Sequence, residues 1–104
     1  MDEKKRAILI ANMTENLPTL RKKLGVSQEE LSSVLGINRS TRAAIENHKR
    51  TMTWNMFLAL LLVFTKNEET NKLLNVMDIY TDEFNEFIKH AADDQQISGG
   101  EKNK

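Results

Sequence analysis

The 104-residue sequence predicts an all-α domain. Apolar residues recur at three- and four-residue spacing, and strong helix formers fill the intervals. The period-two alternation of β-branched and aromatic residues that marks half-buried strands is missing. Ser, Asn and Thr stand where helices would begin and Gly where two would end, so local chemistry agrees with the hydrophobic pattern. A chain of this length builds one modest core; it has one proline, its only Gly-Gly pair lies near the end, and no internal repeat is visible.

The segment "DEKKRAILIANM" predicts a first amphipathic helix over residues 2–12, with Asp2 near its start, in an N-terminal unit of residues 1–13. A second helix follows in "NLPTLRKKLG": Asn16 as cap, Pro18 in the first turn where a missing N–H is harmless, Arg21, Lys22 and Lys23 in the last turn, and Gly25 as stop. Ser27 opens the next helix, and Glu30 completes an S-x-x-E capping box in which hydroxyl and carboxylate satisfy orphaned backbone donors. Leu31, Val34 and Leu35 supply its apolar face, Gly36 ends it, Ile37 buries in the turn, and Asn38 caps a helix running to about Asn47.

Thr53 caps a helix from Trp54 to Phe64, which closes a central unit of residues 14–65. Two further helices, near residues 67–78 and 81–92, form a C-terminal unit of residues 66–92. The tail "DDQQISGGEKNK", residues 93–104, is polar and glycine-containing and is expected to be disordered.

Composition removes several classes. With no cysteine there is no disulfide framework, thiolate metal site or thiol nucleophile. Lys4, Lys5 and Arg6 precede only the short run "AILIA", a poor signal peptide, so a cytoplasmic location is expected. The longest apolar run, "MFLALLLVF", is nine residues, against the roughly 20 that span a bilayer; it predicts a buried helix, with no membrane partner. His48 and His90 lack metal-ligand spacing, no glycine-rich phosphate loop is present, and Ser27 is explained as a cap, so neither an enzyme nor a metal or cofactor is expected.

Zero net charge conceals an asymmetry. Residues 21–50 hold seven basic and three acidic side chains, whereas residues 66–104 hold five and nine. Positive charge therefore gathers on "SQEELSSVLGINRSTRAAIENHKR" and the segment before it. Two helices joined by a short glycine-containing turn, the second with polar and basic residues at its start, are the helix-turn-helix arrangement. In that arrangement the second helix enters the DNA major groove and only its first two turns reach base edges. Its exposed positions here are Arg39, Ser40, Ala43 and Ala44. Arginine matches the paired acceptors of guanine, and a small apolar side chain suits close approach or a thymine methyl.

At these residues the sequence resembles the Xre/Cro-like, phage-repressor-like family of helix-turn-helix DNA-binding domains. The resemblance runs from about Asn16 to Phe64 and rests on "LRKKLGVSQEEL", "LGINRST", "AIENHKR" and the hydrophobic helix after them. It implies a lambda-repressor-like five-helix domain with extra N-terminal and C-terminal helices, acting as a sequence-specific double-stranded-DNA-binding transcriptional regulator, with a repressor expected. It further implies a structural ion pair between Arg21 and Glu46, and backbone contacts from Gln28, Asn47, Lys49 and Arg50, joined by Asn38 and Thr41. Such contacts set register and affinity without choosing sequence.

Three positions depart from the family pattern. Arg42 stands where Ile, Val or an aromatic usually packs on the preceding helix. An unpaired buried guanidinium is costly, so either its stem packs while the head escapes to solvent, where it could reach DNA, or the helix rotates. Ser32 replaces a small alanine at the helix crossing, and His48 replaces a glycine, so the helix either continues or ends on a strained residue. The helix after Thr53 has no polar side from Met56 onward and needs cover on both faces, from the C-terminal helices or a second copy of the chain. Homodimerisation through this region is expected. The competing function is a protein-interaction module, such as the antitoxin of a toxin–antitoxin pair, holding a protein partner through its acidic C-terminal helices.

Overall fold

The computed structural model describes the backbone of residues 1–99 and the side chains of residues 1–91. Six helices follow in order: α1 (Glu3–Leu24), α2 (Gln28–Leu35), α3 (Arg39–Glu46), α4 (Trp54–Thr65), α5 (Glu68–Val76) and α6 (Asp82–Gly99). The described residues contain no strand, so the expected all-α class holds.

The first correction concerns α1. Two helices were expected before Gly25, yet one helix of 22 residues runs through Pro18. Asn16 does not cap: its Nδ2 donates to the Asn12 carbonyl at 2.8 Å, and Thr14 Oγ1 donates to the Ile10 carbonyl at 2.8 Å. An interior proline costs about 3 kcal/mol. Leu9, Met13, Leu17 and Leu20 form one buried stripe spanning it, and burial of each such side chain is worth about 1.5–3 kcal/mol. Breaking the helix would turn half of that stripe away from the core, so continuity wins.

Elsewhere the predicted punctuation holds. Gly25 and Gly36 end their helices in the left-handed region, at φ 83° and 71°. Ser27 Oγ accepts from Glu30 N at 3.0 Å while Glu30 Oε1 accepts from Ser27 N at 2.7 Å, the reciprocal box. Asn38 Oδ1 caps α3 through Thr41 N at 2.8 Å, and Thr53 Oγ1 caps α4 through Met56 N at 3.1 Å. Asn67 caps α5, and Thr81 Oγ1 accepts from Phe84 N at the start of α6. α6 continues past residue 92, so the backbone of 93–99 extends a helix where a disordered tail was expected; residues 100–104 lie outside the described residues.

Helix α1 is the spine, packed against α3, α4 and α5, while α2 packs on α3 and α4. Phe57, Phe64 and Phe84 are the largest fully buried side chains. Trp54 stacks on Phe57 with centroids 4.8 Å apart, and the edge of Phe84 meets both rings at 5.5 and 5.8 Å. Thr70 Oγ1 is buried and donates to the Phe64 carbonyl at 2.6 Å, tying α5 to the end of α4.

Two expectations about the core need revision. Leu31 and Ile45 are buried and Leu35 and Ile37 half-buried, but Val34 is 64% exposed. Eight residues of helix turn Leu31, Ser32 and Leu35 inward, which leaves Val34 past the edge of that face. On α4, Leu58 and Leu62 are exposed, the latter by 61%, so the packing of α1, α2 and α5 leaves one side of this apolar helix uncovered. Val76, Phe87 and Ile88 are also exposed.

Candidate nucleic-acid interface

The turn between α2 and α3 consists of Gly36, Ile37 and Asn38, and its backbone is held by Ile37 N donating to the Ser32 carbonyl at 3.1 Å. With both ends capped, the two helices are fixed relative to each other. Arg42 and Ile45 are the buried residues of α3. The opposite side carries Arg39 and Ser40, both exposed, with Ala43 and Ala44 half-buried beside them. The four expected base contacts therefore share one accessible face.

Arg39 is 73% exposed at its side chain, and its Nη1 lies 3.6 Å from Glu29 Oε2 of α2. Gln28 is exposed at the first position of α2, and its Nε2 donates to Glu46 Oε1 at 3.1 Å, bracing the far end of α3. Asn38 spends its side-chain oxygen on the cap, and Thr41 is half-buried, so these two positions offer less to a ligand than the others.

Past α3 the chain reverses tightly. Lys49 N and Arg50 N both donate to the Ala44 carbonyl, at 2.8 and 3.2 Å, and His48 adopts φ 62°. The helix thus ends on a strained non-glycine residue, one of the two outcomes open from sequence. Asn47, Lys49 and Arg50 are all exposed on this reversal, at the rim of the α3 face.

Of the outcomes left open for Arg42, escape of its head to solvent is not the one found. The residue is 5% exposed, its Nε donates to Ser32 Oγ at 2.9 Å, and its Nη1 stands 3.5 Å from Glu46 Oε1 one turn later. The guanidinium is turned into the protein, away from the face carrying Arg39 and Ser40, and is not available to DNA. Ser32 and Arg42 bond to each other: the Ser32 hydroxyl supplies the acceptor the buried arginine needs. The i, i+4 spacing of Arg42 and Glu46 was the sequence signal for this pair.

The Arg21–Glu46 pair is also corrected. Glu46 Oε1 is shared by Gln28 and Arg42, and Arg21 Nη1 instead donates to the Val26 carbonyl at 3.3 Å. Arg21 Nε and Glu46 Oε2 are both buried without a protein partner. Arg42, one turn before Glu46 on the same helix, is the cation that meets the carboxylate, at 3.5 Å.

Among the described residues no helix is long and apolar enough to cross a membrane, and no three His, Asp or Glu side chains gather as metal ligands. Comparison with protein-family models, curated proteins and solved structures finds no match to this chain.

Proposed function

We propose that the chain is a sequence-specific double-stranded-DNA-binding regulator of transcription, in which α2 and α3 act as a helix-turn-helix of the Xre/Cro-like, lambda-repressor-like kind and α3 lies in the major groove. The observation that carries this reading is the uncovered first two turns of α3, with Arg39 and Ser40 outward while Arg42 and Ile45 anchor the other side. A helix about 10–12 Å across fits a groove about 12 Å wide. The Arg39–Glu29 contact does not oppose it: an exposed ion pair is worth about 0.2–1 kcal/mol, against about 1–3 kcal/mol for a bidentate arginine–guanine contact. Lys49, Arg50 and Asn47 then meet phosphate, and Gln28 holds α3 at its angle from the backbone side.

Selection from a pool of random duplexes at near-physiological salt tests the proposal. Enrichment of a two-fold repeat with half-sites about 34–36 Å apart is expected for a homodimer; a pool that stays random contradicts the reading. Exposed Leu58, Leu62, Phe87 and Ile88 favour a second reading in which these helices hold a different protein, as an antitoxin does. A random pool together with a one-to-one heteromeric complex would support that alternative.

A further inference from the structure

Helices α2 and α3 are eight residues each and bury two residues apiece. In α2 these are Leu31 and Ser32, in α3 Arg42 and Ile45, so each helix turns one apolar and one polar side chain inward. Helices this short are not stable alone. Burial of Leu31 and Ile45 supplies attraction without direction, which leaves the rotation and offset of α3 against α2 weakly defined.

The polar residues supply the direction. Arg42 Nε donates to Ser32 Oγ at 2.9 Å, and Gln28 Nε2 donates to Glu46 Oε1 at 3.1 Å. Gln28 and Ser32 stand one turn apart on α2, as Arg42 and Glu46 do on α3, and the 3.5 Å contact of Arg42 Nη1 with Glu46 Oε1 joins the two bonds. The result is a closed ladder, with two rungs about 6 Å apart along each helix. One rung would let α3 pivot. Two rungs fix both rotation and offset, because a hydrogen bond weakens steeply when it is bent. Arg42 serves one rung and the ion pair together, with its side chain 6% exposed.

We infer that Arg42 is a positioning residue of the helix-turn-helix: it touches no DNA, and through Ser32 and Glu46 it holds α3 at the angle that brings Arg39 and Ser40 to base edges. A buried ion pair contributes little net stability relative to apolar side chains of similar volume, and its best-attested role is to specify one arrangement among several. Arg39 lies about one turn before Arg42 on the same helix, so a rotation of α3 that breaks the Ser32 bond turns Arg39 equally. The inference rests on the DNA-binding reading, and one arm of its test needs no DNA.

The variant Ser32→Ala, Arg42→Met, Glu46→Gln removes the Ser32 rung and the ion pair, fills the space with an apolar chain, and leaves no carboxylate unpaired. Cooperative urea unfolding and helical circular dichroism are expected to be retained. Residual dipolar couplings of the free full chain should give a single α2–α3 angle for wild type and a shifted or averaged one for the variant. On DNA, the ratio of affinities for a duplex selected from the random pool and a scrambled duplex should fall about tenfold, with salt dependence unchanged because the phosphate contacts remain. Arg39→Ala should lower that ratio about fivefold or more in wild type but about twofold or less in the variant. A purely structural Arg42, felt only as lost stability, would not produce that coupling. Ser32→Ala alone, which deletes only the acceptor of one rung, should show the same changes in smaller measure. An unchanged α2–α3 angle, or a variant that discriminates as wild type does, would overturn the inference. Failure of wild type to select any duplex would refute the DNA reading instead, and the couplings would still decide whether the ladder locks α3.

Discussion

Arg42 shows how a charge is accommodated at a position that helical periodicity marks as apolar. Its Nε is satisfied by Ser32 and its charge by Glu46, so the cost of burial is offset by groups supplied from α2 and from its own helix. Removing one member of a buried pair is costly because the other is left uncompensated, by about 3 kcal/mol. Arg42→Ala is therefore expected to lower the unfolding free energy by about 3 kcal/mol, and Arg21→Ala, which loses a single long bond to a carbonyl, by about 1 kcal/mol. Urea unfolding of the two variants checks the order; a larger loss for Arg21→Ala would mean that Glu46 is held by Arg21 after all. A cycle of Arg42→Ala with Ser32→Ala should show a coupling of about 1 kcal/mol. The caps at Ser27, Asn38 and Thr53 were legible because a cap is local chemistry within four residues. The partner of Arg42 was hidden from hydropathy, which equates burial with apolarity, and the resemblance drew Glu46 toward Arg21 instead.

Helix α1 carries the clearest conflict between local and tertiary preference. Pro18 and Asn16 together spell a helix start, but the buried stripe from Leu9 to Leu20 continues across them and sets the outcome. Pro18→Ala restores a backbone donor for the Thr14 carbonyl at an exposed position and should raise stability by about 2 kcal/mol, the interior-proline cost less the stiffness lost from the unfolded chain. A measured decrease would indicate that the helix is interrupted there in solution. At the other end of α1, Lys5 pairs with Glu83 in the first turn of α6. The Glu83 hydrogen bond, then its charge, holds the Lys5 amine above its ordinary 10.5. Its stabilising contribution is thus complete below that value and is lost as pH rises through the higher folded value. The stability advantage of wild type over Glu83→Gln should hold steady from neutral pH and disappear only above pH 10.5; an advantage that vanished between pH 7 and 9 would show that a different group is responsible.

Across the whole molecule, polarity is segregated. Residues 21–50 carry the excess of positive charge, from the last turn of α1 through Arg50, while Leu58 and Leu62 on α4 and Phe87 and Ile88 on α6 are exposed apolar side chains. Joining two copies through the apolar side would set two α3 helices on one duplex, where linkage multiplies affinity. If the chain dimerises through this side, Leu62→Lys is expected to leave it monomeric in sedimentation equilibrium with helical content unchanged; a wild type that is monomeric at high concentration would remove that arrangement. That α4 is apolar on every side was plain in "MFLALLLVF". Which side the chain itself covers was not, because that depends on where α5 docks and on contacts far apart in sequence.

The most direct measurement compares affinity for the selected duplex and for a scrambled duplex, across a salt series, for wild type, Arg39→Ala and Lys49→Ala. If α3 reads bases, Arg39→Ala loses about 1–3 kcal/mol on the selected duplex and little on the scrambled one, while Lys49→Ala weakens both alike and flattens the salt dependence. Equal losses on both duplexes for Arg39→Ala would contradict the account.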